Sequence, residues 1–421
     1  IYLLIDEYDN FTNTILSTYG TEYYQKATHG EGFVRGFFNV IKAATTGTGS
    51  ALQRMFITGV SPVTMDDVTS GFNIGTNITT DPWFNDLVGF SEAELREMLT
   101  YYKEQGVLMQ TVDETIVMMK PNYDNYCFSE EKLAQCMFNS DMALYFMKSF
   151  VLHHVKPKEI VDPNIRTDFN KLAYLIRLDQ GLGENFSVIK EIAEQGEITT
   201  DIATHFSALE MTDVRNFKSL LFYFGLLSIK GVDMVGRPIL HVPNLVVREQ
   251  LFSFLIRGYI KHDIFKIDMN RMTMLFENMA FRGDWKPLFN FIAEAIREQS
   301  RIREYIEGEA HIKGFLLAYL GMYRYYQLYP EYELNKGFAD FLFKPSPSVP
   351  VMPPLTYLLE VKYAKAGTSE KEIRALADEA REQLLRYSQD ELVAEAKAKG
   401  GLKLITIVWC SWELVLLEEV L

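Results

Sequence analysis

The sequence predicts an α/β multidomain protein: an α/β opening segment, a largely helical middle and an α/β closing segment. Three observations predict it. Short β-rich apolar runs alternate with helical stretches at both ends of the chain. Apolar residues at helical spacing recur from Ser91 through most of the middle. The length of 421 residues suits about two or three domains of roughly 100–200 residues, each able to bury a core of its own.

Residues 1–90 form the opening segment. Ile1, Tyr2, Leu3, Leu4 and Ile5 make an apolar strand that ends in Asp6 and Glu7. Such a strand has the form of a Walker B segment, in which the aspartate supports Mg²⁺ and the glutamate polarises an attacking water. The plainer alternative is a buried parallel strand with acids at its exposed end. A Gly/Thr/Ser-rich stretch at 45–50 precedes a second strand over 54–59, which leads into polar residues including Thr58 and Ser61. No G-x-x-x-x-G-K-[ST] motif occurs in these residues, so nothing in them is built to cradle a phosphate chain. ATP binding is therefore expected only if a phosphate loop is supplied from upstream of Ile1, and ATPase activity is not expected of this chain alone. The chain opens at Ile1, without Met and directly into a strand, which reads as an amino-terminally truncated fragment.

Residues 91–300 read as helical and winged-helix-like. Ser91 with Glu94 three residues on forms a capping box, ahead of Leu95 and Leu99 on one helix face. Residues 217–229 read as a buried helix, 238–242 as a short strand and 245–259 as another helix. This order of helix, hairpin and helix suggests the winged-helix-like unit. Residues 271–297 are again helical, Gly181-Leu182-Gly183 reads as a loop, and no internal repeat stands out.

Residues 301–421 change character. Residues 309–326 read as an apolar helix, and the aromatic cluster at 323–329 as core packing rather than base stacking. The runs 332–334 and 338–343 flank Asn335-Lys336-Gly337, a hairpin turn signal. A Pro-rich loop (344–354), a strand (357–363), a long charged helix (370–399) with a solvated face, and two closing strands (402–409 and 414–417) follow. The predicted order is helix, three strands, helix, two strands.

Residues two apart in a strand share a face. That rule puts Glu360 and Lys362 side by side, with Leu359, Val361 and Tyr363 on the opposite face. Asp340 interrupts the otherwise apolar run 338–343, and a buried carboxylate there needs a partner. If the two strands are neighbours, Asp340 and Glu360 converge on one hard cation, Mg²⁺ or Mn²⁺, with Lys362 beside it. The metal would polarise a phosphoryl oxygen and acidify a bound water, and the ammonium would orient that water or stabilise developing charge. This chemistry is phosphodiester hydrolysis. The plainer alternative is a solvated strand-edge Asp340 and an exposed Glu/Lys pair.

Asp340, then Glu360-Val361-Lys362, then a helix with Gln383 and Tyr387 one turn apart resembles the PD-(D/E)XK nuclease superfamily. The resemblance implies that Asp340 and Glu360 bind a divalent metal, that Lys362 is catalytic and that Gln383 assists. It also implies an acid on the first helix, for which Glu309 is the candidate and Glu307 the alternative. The interval between Asp340 and Glu360, lengthened by the Pro-rich loop, departs from the family pattern. Asp6-Glu7-Tyr8-Asp9, the strand through Ser61, Ser70-Gly71-Phe72-Asn73 and Gly89-Phe90-Ser91 together resemble AAA-ATPase-like proteins, common in gut bacteria, that carry a carboxy-terminal PD-(D/E)XK domain. That likeness implies a partial P-loop ATPase-like domain from Walker B onward, with Asp6 and Glu7 on the nucleotide side and Thr58 or Ser61 near the sensor position. The implied function is a metal-dependent endo- or exonuclease acting on DNA and coupled to an ATPase-like module. The alternative is a nucleotide-switched regulatory or binding protein with an inactive nuclease fold.

Composition bounds these readings. The 56 Asp and Glu outnumber the 42 Lys and Arg, for a net charge of −14, which disfavours a non-specific nucleic-acid coat but leaves room for a local basic groove. Three cysteines, an odd number in a long chain, argue against a disulfide framework and for a reducing compartment, by default the cytoplasm. There is no C-x-x-C pair and no H-E-x-x-H, and His153 and His154 point to different helix faces, so no zinc site is expected. No apolar stretch approaches the roughly 18–20 residues that span a bilayer. A homo-oligomer stays open.

Overall fold

The computed structural model describes residues 1–45, 49–68, 75–153, 157, 184–261, 266–299, 308–334, 337–346, 349, 351–398 and 401–420. The segments 70–73 and 181–183, the alternative acid Glu307 and His154 lie outside the described residues. The chain divides into two compact units, Ile1–Val188 with Glu197–Val247, and Ile189–Gly196 with Arg248–Leu421. Among the described residues no helix is long and apolar enough to cross a membrane.

The first unit opens with β1 (Tyr2–Ile5), which pairs in parallel with β2 (Arg54–Ile57) in the register Tyr2↔Arg54 to Ile5↔Ile57. Parallel neighbours need a crossover, and it is supplied by α1 (Asn10–Tyr19), α2 (Thr21–Thr28) and α3 (Phe33–Thr45). After β2 comes α4 (Val63–Val68). Strand alternation sends Leu3, Ile5, Met55 and Ile57 onto a core of Ala27, Val34, Phe38, Ile41, Leu52 and Val68. Tyr2, Leu4 and Phe56 on the other face are exposed among the described residues.

The helical stretch begins as expected. In α5 (Glu92–Glu104) Ser91 accepts from the Glu94 N–H and Glu94 reaches back to Ser91, and Leu95 and Leu99 are buried. A second capping box, Thr111 with Glu114, starts α6 (Val112–Tyr123), and α7 (Ser140–His153) follows. Beyond α8 (Glu184–Gln195) and β3 (Glu197–Thr199), the expected helix over 217–229 is corrected. The helix is α9 (Val214–Tyr223), and Ser228 already belongs to β4 (Ser228–Val232). Gly225, at φ +70°, turns the chain between them in a conformation side-chain-bearing residues avoid. With β5 (Pro238–His241) these strands form an antiparallel sheet ordered β3-β5-β4, ahead of α10 (Leu245–Lys261).

In the second unit the expected single helix over 271–297 is two, α11 (Met269–Arg282) and α12 (Lys286–Glu298), because Gly283 caps the first in the left-handed region at φ +74°. The apolar helix α13 (Glu309–Leu320) stops short of its expected end, and Tyr326 starts a strand. The rest follows as β6 (Tyr326–Leu334), β7 (Gly337–Pro345), β8 (Thr356–Ala364), α14 (Glu370–Tyr387), α15 (Glu391–Ala398), β9 (Leu402–Cys410) and β10 (Glu413–Val420). The predicted order holds, with the long helix broken between α14 and α15. Asn335 and Lys336 of the predicted turn lie outside the described residues, yet Leu334 pairs with Gly337 on either side of them.

The sheet is ordered β10-β9-β8-β7-β6, antiparallel except for the parallel β8–β9 pair, which α14 and α15 connect. Leu342, Leu358 and Leu404 form a core with Leu384 and Tyr387 of α14 on one face of the sheet. Leu358 and Leu384 are fully buried, and truncating either to alanine would cost about 2–5 kcal/mol. Tyr326 is buried against Phe276, Phe343 and Tyr357, so it serves core packing, as read from the sequence.

Candidate active site on the β7, β8 and β9 strands

The β7–β8 register, Phe341↔Leu359 and Leu342↔Leu358, runs on towards Asp340 and Glu360, so the long interval between them does not separate their strands. Glu360 in turn pairs with Thr406 of β9. By the two-residue alternation, all three lie on the face that carries Leu342, Leu358 and Leu404, beneath α14. A polar row thus crosses three adjacent strands, and every member is buried: Asp340 is 6% exposed, Glu360 2% and Thr406 2%.

Burial without full pairing marks this row. Asp340 Oδ2 accepts the Val361 backbone N–H at 2.6 Å. Glu360 Oε1, Thr406 Oγ1 and the Oε1 of Gln383 on α14 are buried without a hydrogen-bond partner among the described residues. Such groups are rare in folded proteins and call for an explanation at the site that holds them. The Glu360 carboxyl is pushed up to about 9, first by burial and then by the charge of Asp340, with Lys362 opposing. Burial also raises Asp340, against the pull of Lys313 and the Val361 N–H. Two carboxyl groups this close and this dry resist double ionisation.

Lys362 stands on the same strand face as Glu360, and its Nζ reaches Glu379 Oε1 of α14 at 3.2 Å. Gln383 sits one turn before Tyr387 on α14, half-buried, with no hydrogen bond to either acid. Glu309 opens α13 and pairs with Lys313 at 2.8 Å rather than with the two acids directly.

Lys313 and Thr406 were missed in the sequence. Lys313 Nζ lies 2.5 Å from Asp340 Oδ1 and 3.1 Å from Glu331 Oε1. Burial works against its charge, but Asp340 and Glu309 outweigh burial and hold the ammonium in place. Both residues carried the same signal as Asp340, a polar residue inside an apolar element: Ile312-Lys313-Gly314-Phe315 and Ile405-Thr406-Ile407.

Asp340 and Glu360 are the residues that could hold a hard divalent ion: Glu360 Oε1 is an open acceptor among the described residues, while Asp340 already has a cation beside it in Lys313. Among the described residues no group of three or more His, Cys, Asp or Glu surrounds one point. Water and a phosphate oxygen would therefore complete the shell, as Mg²⁺ commonly arranges.

The opening acids occupy a different kind of place. Asp6 accepts from the Thr58 hydroxyl across the β1–β2 pair, and the Glu7 N–H donates to Thr58 Oγ1 at 3.3 Å. Glu7 sits at φ +50°, unusual for a residue with a side chain, and its carboxylate accepts from Asn10 Nδ2. Thr58 is thus next to Asp6, while Ser61 serves Asp9. The fully buried Asp9 accepts from the Val60 and Ser61 N–H groups at 3.0 and 3.1 Å and from Asn13 Nδ2 at 2.8 Å.

Comparison with protein families matches residues 307–419 to the PD-(D/E)XK nuclease superfamily and residues 1–69 to a family described as predicted AAA-ATPase. No curated protein and no solved structure matches the chain.

Proposed function

We propose, from the premise that residues 307–419 are a PD-(D/E)XK nuclease superfamily domain, that the chain hydrolyses phosphodiester bonds of DNA with Mg²⁺ or Mn²⁺ held by Asp340 and Glu360. Nucleases of this superfamily generally use divalent metals. One observation carries the reading: two buried acids on adjacent strands, with Glu360 Oε1 left without a partner among the described residues. When bound, the metal supplies Lewis-acid polarisation and an acidified water.

The chain's own residues do the rest. Asp340, oriented by the Val361 N–H, and Glu360 present oxygen ligands. Lys362 leaves Glu379 to meet the scissile phosphate and stabilise charge developing on it. Gln383 orients water or substrate from α14. Glu309 supports the site through Lys313. The opening segment, with Asp6, Glu7 and Thr58, is the ATPase-like module coupled to this centre, and it takes ATP only with a phosphate loop supplied.

A second reading, a nucleotide-switched regulatory protein with an inactive nuclease fold, draws on Asp340 being already neutralised by Lys313. Incubating supercoiled plasmid with the purified chain and Mn²⁺ separates the two. Nicking that disappears in Asp340→Asn supports the nuclease; nicking that survives it removes the site, and no nicking with Mn²⁺ or Mg²⁺ favours the second reading.

A further inference from the structure

Lys313 stands where a cation is already needed. Its ammonium bridges one inner carboxylate, Asp340 at 2.5 Å, and two outer ones, Glu309 at 2.8 Å and Glu331 at 3.1 Å. The Asp340 side chain is 7% exposed, those of Glu309 and Glu331 38% and 52%. Both Asp340 oxygens are engaged, Oδ1 by Lys313 and Oδ2 by the Val361 N–H.

We propose that Lys313 is a resident counter-cation that the divalent metal displaces: it holds Asp340 in the metal-free protein and passes to Glu309 and Glu331 when a metal takes Asp340. The inference rests on the metal-binding reading of Asp340 and Glu360. An ammonium and a divalent ion on one buried carboxylate repel strongly where little water screens them. The way out is short. Glu309 is one helical turn away on α13, and Glu331 lies on β6, so rotation of the long lysine side chain completes the transfer without moving backbone. Lys313 is thus a positioning residue, and it lowers metal affinity while keeping the empty site intact.

Calorimetric titration of the full chain with Mn²⁺, alongside thermal melts with and without Mn²⁺, tests this. The folded Lys313→Met variant is expected to bind Mn²⁺ at least about tenfold more tightly than wild type, to melt lower without metal, and to gain more from Mn²⁺. A lysine that merely supported the fold would give the opposite change in affinity. Glu331→Gln, which never contacts the metal, is expected to weaken Mn²⁺ binding severalfold by narrowing the lysine's alternative place. Equal or weaker binding by Lys313→Met, or unchanged binding by Glu331→Gln, overturns the exchange and leaves the metal site standing. Absence of Mn²⁺ binding in wild type and in both variants overturns the metal reading itself.

Two thiols of the first unit carry a separate inference. Tyr126 and Met137 exchange both backbone hydrogen bonds, at 3.1 and 2.7 Å. Their neighbours Cys127 and Cys136 are therefore directly opposed with side chains on one face, while the Cys127 thiol donates to the Ser129 carbonyl at 3.1 Å and the Cys136 thiol to the Leu133 carbonyl at 3.5 Å. Cβ atoms at such positions stand roughly 4.5–5.5 Å apart, a small closure from the about 3.5–4.5 Å of a disulfide. Cys127 is buried and Cys136 half-buried, so a reagent arrives from the Cys136 side.

The geometry points to a reversible Cys127–Cys136 disulfide formed with a low-molecular-weight disulfide such as oxidised glutathione. The Cys136 thiolate attacks the reagent and expels one glutathione thiol; Cys127 then attacks Cys136 Sγ and expels the second, so the two protein protons end on two glutathione molecules. Alkylation and peptide mass spectrometry after equilibration with oxidised glutathione read the outcome. A linked Cys127–Cys136 peptide, reversed by dithiothreitol and replaced by a lasting Cys136–glutathione adduct in Cys127→Ser, is expected. A lasting glutathione adduct on wild-type Cys136, or full alkylation of all three cysteines, overturns it.

Discussion

The Val361 N–H donates to Asp340 Oδ2 at 2.6 Å, so the strand that carries Glu360 also fixes the direction of the opposing acid. The two groups form one unit: moving β8 would move the Glu360 carboxyl and release the Asp340 carboxyl together. A backbone donor also favours the ionised form of Asp340, against the burial that disfavours it.

Replacing Asp340 tests the unit directly. Asp340→Asn keeps an oxygen for the Val361 N–H but loses the charge, and is expected to weaken Mn²⁺ binding by at least about tenfold, roughly 1.4 kcal/mol, with the fold retained. Calorimetry on wild type and variant gives the answer, and equal affinity would remove Asp340 as a ligand.

Lys362→Ala separates chemistry from metal binding. The ammonium is assigned to the transition state, so plasmid nicking is expected to fall by roughly a hundredfold or more while Mn²⁺ affinity stays near wild type. Glu379→Gln, which frees Lys362 from its ion pair, is expected to retain nicking. Equal cleavage by wild type and Lys362→Ala would reduce the lysine to a partner of Glu379.

The stability of the metal-free chain should depend on pH through Glu360. Its folded value of about 9 lies above the ordinary 4.5, so the folded state holds a proton that the unfolded state releases. Stability therefore falls as pH rises from about 4.5 towards 9, by up to about 1.4 kcal/mol per pH unit for one proton. Glu360→Gln removes this loss. In EDTA it is expected to melt like wild type near pH 5 and higher than wild type at pH 8.5; parallel melting curves across that range would refute the assignment.

In the first unit Asp9 ties the end of β1 to the chain beyond β2. Asp9→Ala leaves the Val60 and Ser61 N–H groups without their acceptor, at a cost of about 1–3 kcal/mol for each that stays buried. Hydrogen exchange at those two amides should accelerate sharply while the protection of β6–β10 is unchanged. Unchanged protection at Val60 and Ser61 would show that the carboxylate is dispensable.

Much of the site was legible because strand alternation is rigid: Glu360 and Lys362 had to share a face, and an acid inside Phe338–Phe343 had to find company. The capping box of Ser91 and Glu94 was legible for a similar reason, since it is wholly local. What failed was continuity. Apolar periodicity carries on through Gly225 and Gly283, whose left-handed backbone ends the helices there, and a pattern of side chains does not register one reversed φ. Lys313 escaped for another reason. Its partners lie on three different elements, and only the folded sheet brings Asp340 and Glu331 to the first helix.

The parallel pairing of β8 with β9 sets an order of events during synthesis. The β6–β7 hairpin and the β7–β8 pair need only local chain, but β9 arrives after the whole α14–α15 crossover. Such distant pairings form slowly because the intervening loop must close first. Until then the β8 edge that carries Glu360 lacks its β9 neighbour, Thr406 included. A ribosome-bound chain that has not yet released residues 402–410 thus carries Asp340, Glu360 and Lys362 without the strand that completes their sheet.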